Sequence, residues 1–133
     1  MYDEGAPHVQ KEVWTLIEER KLPVLGICYG MQEIAHVLGG KVAQGEKREY
    51  GKSTAQKVRG AQDGGLLAGL PDESQMWMSH GDKIHALPEG FVDILTTANS
   101  EHAAIANLSS NMWGLQFHPE VTVEMLCLYD PSV

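Results

Sequence analysis

The stretch that most limits what this chain can fold into is Leu25-Gly26-Ile27-Cys28-Tyr29-Gly30. A short apolar run, Val24 to Ile27, gives way abruptly to a segment with Met31, Ile34, Ala35, Val37 and Leu38 on one helical side, which Gly39-Gly40 ends. A cysteine stands at the junction, flanked by glycines two residues away on each side. Gly-x-Cys-x-Gly at a strand-to-helix turn is the thiol form of a nucleophile elbow. Its cramped backbone predicts that side chains at positions 26 and 30 would collide with the strand and the helix. The turn pushes the sulfur out at the edge of the sheet where open α/β folds bind ligands. The helix N-terminus is expected to lower the pKa of the Cys28 thiol. The same terminus offers free N–H groups, that of Tyr29 first, to an oxyanion.

The remaining pattern fits around that elbow. Val9, Val13, Leu16 and Ile17 recur at helical spacing, Pro7 suits the first turn of that helix, and Lys21-Leu22-Pro23 ends it. Residues 41–58 are more polar, with Gly45 and Gly51, and suggest short strands or a hairpin. Residues 61–71 are Gly-rich and read as loop with a brief helical turn at Leu66-Leu67. Four further strands are expected over 75–78, 92–97, 103–106 and 112–117, separated by turn residues. The order implies one domain over 1–133, an open, mostly parallel α/β sheet flanked by helices. A fold of this kind normally starts on a strand, and the tail Val123 to Val133 is short for a closing helix. Both ends therefore read as incomplete.

Charge and composition narrow the partners. Eighteen acidic residues against ten Lys plus Arg give a formal charge of -8, which argues against a nucleic-acid groove or an anionic membrane surface. No apolar run reaches the ~18 residues that span a bilayer, and the acidic start MYDEGAPH is no secretory signal. Cys28 and Cys127 do not suggest a disulfide framework, so the chain reads as cytoplasmic. Cys127 reads as inert. No finger or HExxH spacing points to a metal.

A thiol that splits an amide needs a proton donor for the leaving nitrogen, and histidine suits neutral pH. Of six histidines, only His118 ends a strongly apolar run, Trp113 to Phe117, which would bring it to the same edge as Cys28. Pro119 turns the chain away, and Glu120 can accept from the imidazole and fix its tautomer.

Together, Cys28-Tyr29-Gly30-Met31-Gln32 and Gln116-Phe117-His118-Pro119-Glu120 resemble the class I glutamine amidotransferases. Gly45 to Gly51, Trp77 to Lys83 and Ala103 to Asn107 are similar to the GMP-synthetase branch, and the likeness runs from about Tyr2 to Thr122. The resemblance implies a Cys28–His118–Glu120 triad that hydrolyses glutamine through a glutamyl thioester, with the Tyr29 N–H as an oxyanion donor. It further implies that Gln32 and the loop backbone of Ser79, His80 and Gly81 bind the amino-acid end of glutamine. No cofactor is expected in this domain. ATP and magnesium would belong to an ATP-pyrophosphatase partner, fused or separate, that aminates xanthosine monophosphate; Glu46 to Tyr50 is the candidate docking segment. A catalytically impaired fragment, a binding subunit, and another thiol hydrolase such as a γ-glutamyl peptidase are the alternatives.

The family also carries an upstream Gly-Gly-Pro loop that supplies a second oxyanion donor, and the resemblance implies that this chain starts just after it. One such donor is worth about a hundredfold to a thousandfold in turnover. Adding that segment should therefore raise Cys28-dependent glutamate release by about that factor. Equal rates with and without it, each beside a Cys28→Ala control, would contradict this account.

Overall fold

The computed structural model describes residues 5–121. Cys127 and the tail discussed above lie outside the described residues. Two helices, α1 (Lys11–Arg20) and α2 (Tyr29–Val37), accompany six strands: β1 (Val24–Ile27), β2 (Lys41–Lys57), β3 (Glu73–Ala86), β4 (Val92–Thr96), β5 (Ala104–Asn107) and β6 (Met112–Leu115). The strands form one sheet in the order β1-β6-β5-β4-β2-β3.

The α/β class expected from the sequence is present, but the sheet is more antiparallel than expected. Only β1 and β6 pair in parallel; β5–β6, β4–β5, β2–β4 and β2–β3 are antiparallel. The reason lies in the connections. A parallel neighbour needs a long crossover, whereas short turns join β4 to β5 and β5 to β6. The expectation of short strands over 41–58 also gives way to one long strand, β2, running against β3. Pairing with β3 overrides the glycines that read as breaks, since strand preference is set mostly by neighbours. The interruption appears instead as a bulge: the register steps from Gln44↔Asp82 to Glu49↔His80, so residues 45–48 stand opposite Gly81 alone.

Helix α1 starts at Lys11 after Gln10 rather than near Pro7, so Val9 is not part of its stripe. Lys21 closes it in the left-handed conformation, at φ 50°. None of its residues is fully buried; Trp14 and Ile17 provide the partly buried contacts with the core. Helix α2 carries the packing on this side, burying Met31, Ile34 and Ala35 against Ile84, Phe91, Ile105 and Met112. On the other face, Ala104, Ala106 and Leu115 join Met78, Ile94 and Leu95 under Leu67 from the Gly-rich turns. Strand β5 divides between the two clusters by simple alternation, Ile105 to one and its neighbours to the other.

How closely α2 lies on the sheet depends on two glycines paired across β1 and β6, Gly26 and Gly114. A Cβ on Gly26 would come within 2.5 Å of the Gly30 backbone, and one on Gly114 within 2.6 Å of Met31 Cγ. Gly30 is different, because a Cβ there would meet nothing within 4 Å. The expected collision thus holds for one flanking glycine and not for the other. The free side of β1 is the edge of the sheet, where Leu25 is 47% and Ile27 36% exposed.

Gly26→Ala is therefore expected to lower stability by about 1–3 kcal/mol or more, as overpacking against backbone does. Gly30→Ala, in the first turn of a helix, should be neutral or stabilising by up to about 1 kcal/mol. Urea unfolding midpoints of the two variants check the contrast; equal destabilisation would show that both glycines are sterically required.

Candidate active site

Cys28 connects β1 to α2 with φ 51° and ψ -104°, a positive φ that non-glycine residues rarely adopt. The strand ladder reaches this residue, because the Cys28 N–H donates to Leu115 O at 2.6 Å. Strain of this kind persists only where the surroundings fix it. Here the hydrogen bond to β6 on one side and α2 on the other hold the sulfur at the C-terminal edge of the parallel pair.

Three groups meet the sulfur. The thiol donates to Ser79 O at 3.6 Å, and the Gln116 amide nitrogen donates to Sγ at 3.7 Å. The Tyr29 backbone N–H is the third. Burial nevertheless pushes the thiol above its ordinary value. The Tyr29 N–H and the Gln116 amide pull it down, and the negative charge of Glu120 pushes it up again. The sequence led to the opposite expectation. A helix terminus is typically worth about 0.3–1 kcal/mol, whereas burial can move a pKa by several units.

His118 lies just past β6, and its backbone N–H donates to Trp77 O at 3.0 Å. Its Nδ1 is 2.6 Å from Glu120 Oε1. Facing a carboxylate, Nδ1 carries the proton and Nε2 is left for other work. This hydrogen bond is also the first cause holding the Glu120 carboxyl below its ordinary range. Strand β3 thus takes the His118 backbone at Trp77 and the Cys28 sulfur at Ser79, two residues further on. Both groups lie at one end of the sheet.

The expected substrate-binding residues gather here as well, though not all in the form expected. Ser79, His80 and Gly81 belong to β3 rather than to a loop. They line an open cavity of about 330 Å³ with Cys28, Tyr29, Gln32, Gln44, Arg48, Tyr50 and Asp82, within the usual size range of ligand pockets. Gln32 is buried, its amide nitrogen donating to Asp82 O at 3.0 Å and to Gln116 Oε1 at 3.3 Å. The His80 side chain turns inward: Nδ1 lies 3.0 Å from Asp82 O and Nε2 3.1 Å from Glu49 Oε2. Glu49 also accepts from Ser53 and Thr97. Within the segment read as a docking candidate, Glu49 is thus buried, whereas Tyr50 is 64% exposed.

Two residues take a place at this site that the sequence did not give them. Gln116 was visible only as part of a motif, and its amide proves to face the sulfur. Arg48 overhangs the cavity because the bulge carries it there; nothing local in the sequence announces that bulge. A larger apolar concavity of about 820 Å³ lies at the other end of the strands, around Trp14, Phe91 and Met112, and its lining holds neither cysteine nor histidine. Among the described residues no group of three or more His, Cys, Asp or Glu side chains could hold a metal ion, and no helix is long and apolar enough to cross a membrane.

The model of the glutamine amidotransferase class-I family matches residues 4–125. The chain is 50% identical over 122 residues to a GMP synthase [glutamine-hydrolyzing] from Debaryomyces hansenii, covering 92% of this chain and 22% of that one. It is 47% identical, with the same coverage, to a GMP synthase [glutamine-hydrolyzing] from Aquifex aeolicus. It therefore spans less than a quarter of the length of these relatives. A crystal structure of a glutamine amidotransferase from Thermotoga maritima superimposes with a TM-score of 0.76 at 29% identity, covering 91% of this chain and 50% of the other. With the elbow, the shared sheet edge and these likenesses in agreement, the chain belongs to the class-I glutamine amidotransferases.

Proposed function

We propose that this chain hydrolyses glutamine to glutamate and ammonia through Cys28, His118 and Glu120, and that the ammonia serves GMP synthesis. The observation that carries the reading is the double hold of β3 on the site. Trp77 O takes the His118 N–H at 3.0 Å and Ser79 O takes the Cys28 thiol at 3.6 Å, so Cys28 and His118 share one edge, which supports reading them as nucleophile and base.

In this mechanism Cys28 gives its proton to His118 Nε2, and the sulfur attacks the side-chain carbonyl carbon of glutamine. The Tyr29 N–H stabilises the oxyanion. The imidazolium, steadied by Glu120, then protonates the departing nitrogen; ammonia leaves and a glutamyl thioester remains. Water, deprotonated by His118, attacks the thioester, and the proton returns to the sulfur as glutamate is released. The thiol is raised in the resting site, so the imidazole has to accept its proton as attack occurs. Gln32, Ser79, His80 and Gly81 would receive the α-amino and α-carboxylate groups of the substrate. For Gln32 this means exchanging its present hydrogen bonds for bonds to the ligand.

Similarity to GMP synthases of greater length supports the further reading that the ammonia goes to an ATP-pyrophosphatase domain. There ATP and magnesium would activate xanthosine monophosphate. No step of that half-reaction is assigned to a residue of this chain. The reading as a cytoplasmic enzyme is supported by two cysteines far apart in sequence, which suggest no disulfide framework.

Two measurements test this. Cys28→Ala and His118→Ala should each abolish glutamate release, and acid quenching of the parent chain with glutamine should leave a glutamyl group on the Cys28 peptide. Release that survives Cys28→Ala would exclude the mechanism. Glu120→Gln should slow release about a hundredfold or more, by analogy with loss of the orienting acid in other triads. The same change removes a negative charge that pushes the thiol up. The pH midpoint of Cys28 alkylation should accordingly move down, by less than about one unit. An upward movement would show that Glu120 acts on the sulfur in some other way.

A further inference from the structure

Glu33 lies on α2 among apolar neighbours and is only 3% exposed. A carboxylate so placed is costly unless its oxygens are taken up, and both are. Oε2 lies 2.8 Å from His8 Nδ1, and Oε1 accepts the Val9 N–H at 2.9 Å. One turn earlier, the Tyr29 hydroxyl donates to Pro7 O at 2.7 Å. One turn later, the His36 ring stacks on His8, with centroids 4.9 Å apart and 20° between the planes. Positions 29, 33 and 36 share one face of a helix. A single stripe of α2 thus grips three consecutive residues, Pro7, His8 and Val9, which belong to no helix or strand.

The grip falls where α2 has most need of it. The first N–H groups of a helix lack intrahelical partners, and a side-chain cap usually supplies one. Cys28 stands at the N-cap and makes no side-chain cap hydrogen bond; its sulfur faces the cavity instead. The first residue of the helix is Tyr29, whose N–H meets that sulfur and whose hydroxyl is tied to Pro7. Partial burial and then the charge of Glu33 push the Tyr29 phenol above its ordinary value, so it remains a donor.

We propose that Glu33 is a positioning residue for the Cys28 site: by clamping residues 7–9 against α2, it fixes the first turn of the helix and holds the Tyr29 N–H on the sulfur. This rests on the reading of Tyr29 as the oxyanion donor. The strap steadies the first turn through the side chains of Tyr29 and Glu33, with the carboxylate as its clasp. Glutamine can replace glutamate in this role, since its oxygen accepts from Val9 and its amide donates to the other tautomer of His8. Alanine cannot.

The test follows iodoacetamide alkylation of the Cys28 peptide by mass spectrometry across pH, beside a melting curve, for the parent chain, Glu33→Ala, Glu33→Gln and Tyr29→Phe. Glu33→Ala should raise the midpoint by roughly one pH unit, the size of one lost hydrogen bond to a charged group. Glu33→Gln should restore it. Tyr29→Phe, which cuts only the tie to Pro7, should raise it in the same direction. The sign is informative, because loss of a nearby negative charge alone would lower the midpoint. A Glu33→Ala protein that melts earlier with an unchanged midpoint would reduce Glu33 to a structural role and overturn the proposal. So would a Glu33→Gln protein that behaves like Glu33→Ala. If Glu33→Ala does not fold, an unchanged midpoint in Tyr29→Phe overturns it. Glutamate release by the parent chain, measured alongside, separates the two readings. Absent release even with the upstream Gly-Gly-Pro segment added, together with the expected midpoint shifts, would sink the glutaminase reading and leave the strap. Normal release with unmoved midpoints would sink the strap alone.

Discussion

The close seat of α2 on the β1–β6 pair is the contact on which the site depends. It is possible because Gly26 and Gly114 lie side by side and leave room for the Gly30 backbone and for Met31. With side chains at those positions the helix would have to rise from the sheet. Cys28 would then lose either its hydrogen bond to Leu115 or its place at the helix start. The sulfur is therefore located by what is absent from two neighbouring strands. Side chains more distant from the chemistry, such as Ile34 and Ile105, hold the helix down by burial.

Around that seat the electrostatics are in competition. Burial and the Glu120 charge favour the thiol; the Tyr29 N–H and the Gln116 amide favour the thiolate. Burial prevails in the resting site, and Ser79 O accepts the remaining hydrogen. In the proposed mechanism the Tyr29 N–H would also meet charge that moves onto a substrate oxygen, and a donor already fixed in place needs no reorganisation during the reaction. On that proposal the arrangement would serve the transition state better than the resting nucleophile.

Much of this was legible in the sequence, and the exceptions have physical causes. The elbow, α2 and its glycine stop, and the strands ending at Cys28 and His118 are local patterns, visible in period and punctuation. The direction of the strands is not local. Nothing in residues 41–58 reveals that they form one strand against 73–86, and so the bulge that places Arg48 over the cavity could not be foreseen. Ser79, His80 and Gly81 were expected in a loop because the resemblance implied one there, yet they lie in β3, where Ser79 pairs with Tyr50 and His80 with Glu49. The alternation Arg48-Glu49-Tyr50 did contain a signal, since in a strand the middle residue must face away from its neighbours. The sign of the thiol shift was missed because burial is a property of the assembled fold. A helix terminus can be read from sequence; the depth of the sulfur cannot.

The bulge opposite Gly81 has a mechanical meaning beyond the shape of the cavity. A ladder with matched residues on both sides transmits a push along its whole length, whereas one with four residues facing one has slack at that point. Arg48 lies in that slack and Glu49 is anchored just beyond it, so the cavity wall can shift locally while β2 and β3 keep their register on either side. A change in the length of residues 45–48 would accordingly fall within the bulge, between the paired residues that flank it.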